Sequence, residues 1–237
     1  MMNDRSRYPV WLFIGFAIFW IVWAIRPRYF EVWVVENALM LILMALLILT
    51  RKRFPLSDIS YTLIAIFLSL QTIGAHYSYS KVPYNDWFSA LFGHELHEGR
   101  NHYDRLVHFC FGFFLAYPIR EIFLRIAGVK GFWGYYLPLD VTMSFSMAYE
   151  LIEWGYAVVE GGDAGQAFLG TQGDPWDAHK DMLLASIGAM ISMCVVGFIN
   201  WKFDKHFGDE FRESLRVKRA EPLGEVKLAE LRSSHPD

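Results

Sequence analysis

Met182-Leu-Leu-Ala-Ser-Ile-Gly-Ala-Met-Ile-Ser-Met-Cys-Val-Val-Gly-Phe-Ile-Asn-Trp201 runs its whole length without a charged residue. A helix of about 20 mostly apolar residues crosses the hydrocarbon core of a bilayer. The stretch therefore reads as a transmembrane helix. Just upstream stands Gly170-Thr-Gln-Gly-Asp-Pro-Trp-Asp177, with Asp181 closing the approach. Asp174 suits an N-cap and Pro175 the first helical position, so the helix is expected to start near Pro175. Asp177 and Asp181, four residues apart, then share one face at its entrance.

Five more apolar blocks precede this one, at residues 10–25, 30–50 (broken by Glu36 and Asn37), 59–79, 106–127 and 132–159. With 54% hydrophobic and 17% aromatic residues, the chain has helices that stay apolar on every face, which excludes a soluble helical domain. The expected fold is all-α: a polytopic bundle of about six spans over residues 1–203, followed by a solvated, charged tail, 204–237, with one or two short helices. Lys and Arg set the orientation. If both termini are cytoplasmic, all of these residues except Arg26, Arg28, Lys81, Arg100, Arg105 and Lys180 fall inside. The first block is followed at once by Arg26-Pro27-Arg28 with no small-residue cleavage pattern, so it reads as a retained span and not a signal peptide. Cys110 and Cys194 lie at different depths of their helices and read as packing residues, not a disulfide.

The connections at 76–103 and 160–179 are long and share the outer side, where function concentrates. The first is rich in aromatic residues and histidine, and residues 86–92 are expected to form a short interfacial helix. Carboxylates gather at the same level in pairs of helical spacing: Asp104 with His108, Glu150 with Glu153, and Asp177 with Asp181. Small residues continue each face inward (Gly112 and Ala116, Ser146, Ala185 and Gly188), so each pair is expected to point at a neighbouring helix. Glu36 is a candidate outlier of the layer. Ionisable groups at this depth read as a functional site by default. So many carboxylates need protons or cations, supplied by Arg100, Arg105, Lys81 and His108 or by a divalent metal.

The sequence assigns Glu150, Glu153 and Asp104 to acid–base work and His108, Asp177 and Asp181 to metal ligation. Arg100, Arg105 and His76 fall to binding an anionic headgroup; a hydrogen bond to loop backbone is an equal reading for His76. His94-Glu95-Leu96-His97-Glu98 lacks the second histidine that a zinc-protease helix needs and reads as a solvated loop. Asp140 is expected to pair with Arg120 or Arg125 as a structural ion pair. No basic–aromatic patch points to nucleic acid; membrane lipids are the expected partners, together with a lipid-linked or small-molecule ligand.

Four stretches resemble the YjdF family of bacterial inner-membrane proteins: His76-Tyr-Ser-Tyr-Ser-Lys-Val-Pro83, Arg100-Asn-His-Tyr-Asp-Arg-Leu-Val-His-Phe109, Tyr149-Glu-Leu-Ile-Glu-Trp154, and Phe168 through Asp177 with Asp181-Met182. The resemblance implies a polytopic inner-membrane protein and brings no activity with it. A looser similarity joins Asp104, His108, Glu150, Asp177 or Asp181, and Gly188 to the VanZ-like membrane family, with different spacing in the loop before the last helix. That similarity implies a cell-surface role linked to glycopeptide resistance. Three functions fit the residues. The leading one is metal-assisted hydrolysis or group transfer on a lipid-linked or headgroup substrate. The others are proton- or ion-coupled transport, and an assembly protein whose acidic layer locks the bundle.

Overall fold

Each apolar block becomes one helix in a computed structural model, which describes residues 7–94, 99–162, 165, 169–218 and 220–234. The long helices are α1 (Tyr8–Trp23), α2 (Phe30–Thr50), α3 (Asp58–Tyr77), α5 (Tyr103–Ile126), α6 (Trp133–Glu160) and α7 (Asp177–Phe203). The expected interfacial helix is α4 (Tyr84–Phe92), and two short helices follow the bundle: α8 (Phe207–Ser214) and α9 (Leu223–Ser234). There is no strand among the described residues. By length and composition α2, α3, α5 and α7 can cross a membrane. Of the other two long helices, α1 has only 16 residues and α6 carries carboxylates along its 28.

The C-terminal ends of α1, α3 and α6 meet the N-terminal ends of α2, α5 and α7 at one end of the bundle. His76 Nδ1 lies 2.7 Å from the Trp23 carbonyl, and the Arg28 amide donates to the His76 carbonyl at 2.9 Å. His76 thus serves a helix-end carbonyl of α1 that has no intrahelical donor. On the second helix, buried Asn37 accepts from Trp20 Nε1 at 2.7 Å and donates to the Trp33 carbonyl at 2.6 Å. Those bonds explain how a polar interruption survives inside an apolar block.

Helix α5 lies at the centre, packed on α3, α6 and α7. Its contact with α7 is backbone to backbone: a Cβ on Gly112 would strike the Ala185 carbonyl, and one on Gly188 would strike the Phe109 carbonyl. Ala116, Ala185 and Ala189 are fully buried in the same seam. Small residues allow this approach, and dispersion between the closely packed helices holds them. One apolar core forms around Met40, Ile64, Phe67, Leu68 and Val107, and a second around Ala116, Ala189 and Met193.

Three expectations are corrected here. Helix α7 starts at Asp177, and Asp174 forms a local turn three residues earlier, its Oδ1 accepting from the Trp176 amide at 3.1 Å. Asp140 is exposed on α6; Arg125 instead pairs with Glu121 at 2.6 Å, and Arg120 sits over the Tyr135 ring at 4.8 Å. Glu121 has its own task, accepting from the Ser57 amide at 2.9 Å and the Ser60 hydroxyl at 2.6 Å at the start of α3. Finally, the first tail helix is docked, not solvated: Ser214 Oγ accepts from the Phe132 amide at 2.9 Å, and Phe211 meets Phe132 edge-on.

The glycine seam predicts that Gly188→Val, which places side-chain atoms against the α5 backbone, lowers stability by about 1–3 kcal/mol or more. Thermal unfolding in detergent measures it; a melting temperature equal to wild type would refute the close approach.

Candidate functional site

The joined helix ends bring the predicted pairs together. Glu36, Glu150, Glu153, Asp177 and Asp181 are buried, as is His108, while Asp104 keeps 14% of its side chain exposed. The spacing of four in α5 puts Asp104 and His108 on the face that meets α6 and α7. His108 Nε2 lies 3.4 Å from Glu150 Oε1 and 3.7 Å from Asp104 Oδ1. One ligand atom each from Asp104, His108 and Asp181 lies within 4.8 Å of the others. Glu150 Oε1 and Asp181 Oδ1 are buried without a hydrogen-bond donor among the described residues.

A separate set of cations serves Asp174 and Asp177. Arg100 Nη2 donates to Asp177 Oδ1, and Arg105 Nη2 reaches the same oxygen at 3.2 Å and Asp174 Oδ2 at 2.7 Å. Lys180 Nζ completes the clamp on Asp174 Oδ2 at 2.5 Å. These contacts tie the two outer loops together. Asn101 and Gln172 add a reciprocal pair, each donating to the other at 2.9 Å, and Arg100 Nη1 donates to the Thr171 carbonyl at 2.5 Å. Asp177 is therefore spoken for by arginine, and Asp104 takes its place beside His108 and Asp181. Lys81, expected as a counter-charge, is exposed, and Lys180 fills that role. His76 stays with the end of α1, outside the cluster. Residues 95–98 lie outside the described residues; His94 is exposed, with Nδ1 3.0 Å from the Phe92 carbonyl.

Sequence reasoning placed Glu36 at the margin, yet it is the centre of a third group. Its Oε2 accepts from Tyr149 at 2.6 Å, Tyr79 at 3.2 Å and Gln71 Nε2 at 3.4 Å. Tyr149 also meets the His108 ring edge-on, with centroids 5.9 Å apart. Helical spacing held a signal for Tyr149, four residues before Glu153 on the same face. Tyr79 had none. It reaches Glu36 because Ser78 and Tyr79 take left-handed backbone (φ 61° and 40°) and fold the ring onto Gly74, where a Cβ would strike it. Such conformations are costly outside glycine and cluster at functional sites. Burial, followed by the Glu36 charge, pushes the Tyr79 hydroxyl well above its ordinary value of 10, so it remains a donor.

A family model described as "Predicted membrane protein (DUF2238)" matches residues 8–202. The inner membrane protein YjdF of Escherichia coli (strain K12) is 35% identical over 181 residues, covering 74% of this chain and 82% of that relative. No solved structure matches the chain.

The clamp carries a pH prediction. The Lys180 hydrogen bond, with help from the Trp176 amide and Arg105, lowers the Asp174 carboxyl from its ordinary 3.8 to about 2. A depressed carboxyl contributes stability that is complete above 3.8 and lost as pH falls through about 2. Loop amides near Asp174 should keep their hydrogen-exchange protection down to about pH 4 and lose it towards pH 2, and Asp174→Asn should lose it throughout. Equal protection in the variant at neutral pH would remove the clamp's role.

Proposed function

The chain belongs to the DUF2238 family of predicted membrane proteins, and from that premise we propose a multi-pass inner-membrane protein that binds a divalent metal at the outer end of its bundle. The metal serves hydrolysis or group transfer on a lipid-linked or headgroup substrate. The supporting observation is the convergence of Asp104, His108 and Asp181 within 4.8 Å, beside an Asp181 oxygen that is buried without a hydrogen-bond partner and a Glu150 oxygen that has only His108 Nε2, at 3.4 Å. A buried carboxylate without a donor or counter-charge is strongly destabilising. One cation held by Asp104, His108 and Asp181 would meet the bare Asp181 oxygen and leave Glu150 beside it. A mixed oxygen and imidazole set suits Mn, Zn or Fe, and the oxygen-rich share suits Mg.

Bound there, the metal polarises a phosphoryl or carbonyl oxygen, or lowers the pKa of a water so that hydroxide attacks. Glu150 and Glu153, one turn apart on α6, are the groups to take the water's proton and return it to the leaving group. The Lys and Arg bias puts this end on the outer side, where headgroups of the outer leaflet are within reach. Transport is less well supported. Helix α6 continues unbroken past Pro138, and Asp140 faces outward, so among the described residues no line of carboxylates leads to the opposite end.

Protein purified in detergent should hold near-stoichiometric metal by elemental analysis. Asp181→Asn and His108→Ala should each weaken binding by at least about tenfold while the helical circular dichroism is kept. Glu150→Ala should abolish metal-dependent hydrolysis of lipid-linked substrates. Wild-type protein that stays metal-free after reloading with Mg, Mn and Zn would sink the proposal.

A further inference from the structure

Arg100 and Arg105 are five residues apart, one in the loop before α5 and one in its first turn, yet their guanidinium groups converge on a single atom, Asp177 Oδ1. They are mostly buried, with 15% and 18% of their side chains exposed. The Nη atoms are used on Asp177, Asp174 and the Thr171 carbonyl, with Arg105 Nη1 lying 3.5 Å from His102 Nδ1. The Nε atoms of both are buried and have no acceptor among the described residues. A buried guanidinium donor without an acceptor is costly, and here two occur on guanidinium groups that share one carboxylate oxygen.

Charge bookkeeping points the same way. Arg100, Arg105 and Lys180 bring three positive charges to the clamp, against two negative ones on Asp174 and Asp177. Helices α5 and α7 both begin here, and their N-terminal ends add partial positive charge. The clamp itself therefore carries net positive charge, facing Asp104 and Asp181 on its metal side, and two directed donors without acceptors. Asp177 also stands one helical turn before Asp181, so whatever the clamp holds lies next to the metal ligands.

We propose that Arg100 and Arg105 form a receptor for a phosphate ester, which accepts from the two free Nε donors and turns another oxygen towards the metal. This rests on the metal-site reading above, which supplies the opposite wall. Phosphate fits better than carboxylate because it has oxygens enough for both arginines and the metal at once, whereas a carboxylate has two. The planar guanidinium fork is the side chain that matches phosphate geometry. Binding leaves the Asp174 and Asp177 pairs in place.

The test is calorimetric titration of inorganic phosphate into Mg-loaded protein in detergent. Arg100→Lys and Arg105→Lys keep the charge and remove Nε; each should lower phosphate affinity at least tenfold with metal content unchanged. Both lysine variants should also keep the wild-type helical circular dichroism, which separates loss of the receptor from loss of the fold. Competition by nanodiscs of phosphatidylcholine containing phosphatidic acid, but not by phosphatidylcholine alone, would support a lipid phosphate monoester. Phosphate binding indifferent to both nanodiscs would support a soluble ester. Arginine-dependent phosphate binding in protein that takes up no metal would keep the receptor and overturn the metal site alone. No phosphate binding by metal-loaded wild type, or wild-type affinity in both lysine variants, would overturn the receptor.

Discussion

Carboxylates buried at the end of an apolar bundle repel one another, and the cost of removing each from water is several kcal/mol. The structure answers that constraint in three ways. Asp174 and Asp177 are met by Arg100, Arg105 and Lys180. Glu36 is met by hydroxyl and amide donors from Tyr149, Tyr79 and Gln71. Asp104 and Glu150 have only the imidazole of His108 among the described residues within ion-pair reach, and Asp181 keeps a buried oxygen with no hydrogen-bond donor. The third answer is incomplete without a cation, and the functional proposal follows from that incompleteness.

The rest of the fold delivers these side chains to one level. Gly112 and Gly188 bring the α5 and α7 backbones together, which sets His108 and Asp181 face to face one turn above the seam. Tyr149 ties α6 to α2 through Glu36 while bracing the His108 ring. The reversal at Ser78 and Tyr79 brings the chain beyond α3 back to the same carboxylate. At the opposite end, Glu121 satisfies the start of α3 and the docked α8 covers the loop before α6. That end is built from ordinary helix-end hydrogen bonding, and its half-buried Glu121 is paired.

Much of this was readable from residue order, for physical reasons. The apolar blocks are long enough that the backbone has one way to satisfy its hydrogen bonds in a bilayer, so helix number and the meeting of their ends follow. Period-four spacing put Asp104 with His108 and Asp177 with Asp181, and both pairs lie at the bundle end. What the sequence could not resolve was the assignment within the cluster. Whether Asp104 or Asp177 joins His108 and Asp181 in one cluster depends on where Arg100 and Arg105 reach, and the loop pairing between Asn101 and Gln172 helps to set that. The same holds for Glu36, whose importance rests on a left-handed turn at non-glycine residues with no local signature. Asp140 misled because Arg120 and Arg125 stand at the matching end of the preceding helix, whereas Arg125 found a partner one turn away on its own helix.

The most direct measurement is X-ray absorption spectroscopy at the metal edge of Mn- or Zn-loaded protein reconstituted in nanodiscs. The coordination of Asp104, His108 and Asp181 predicts an oxygen-dominated shell with one imidazole, whose scattering disappears in His108→Ala. A bound metal with no imidazole in its shell, or one whose spectrum is unchanged in that variant, would contradict the site.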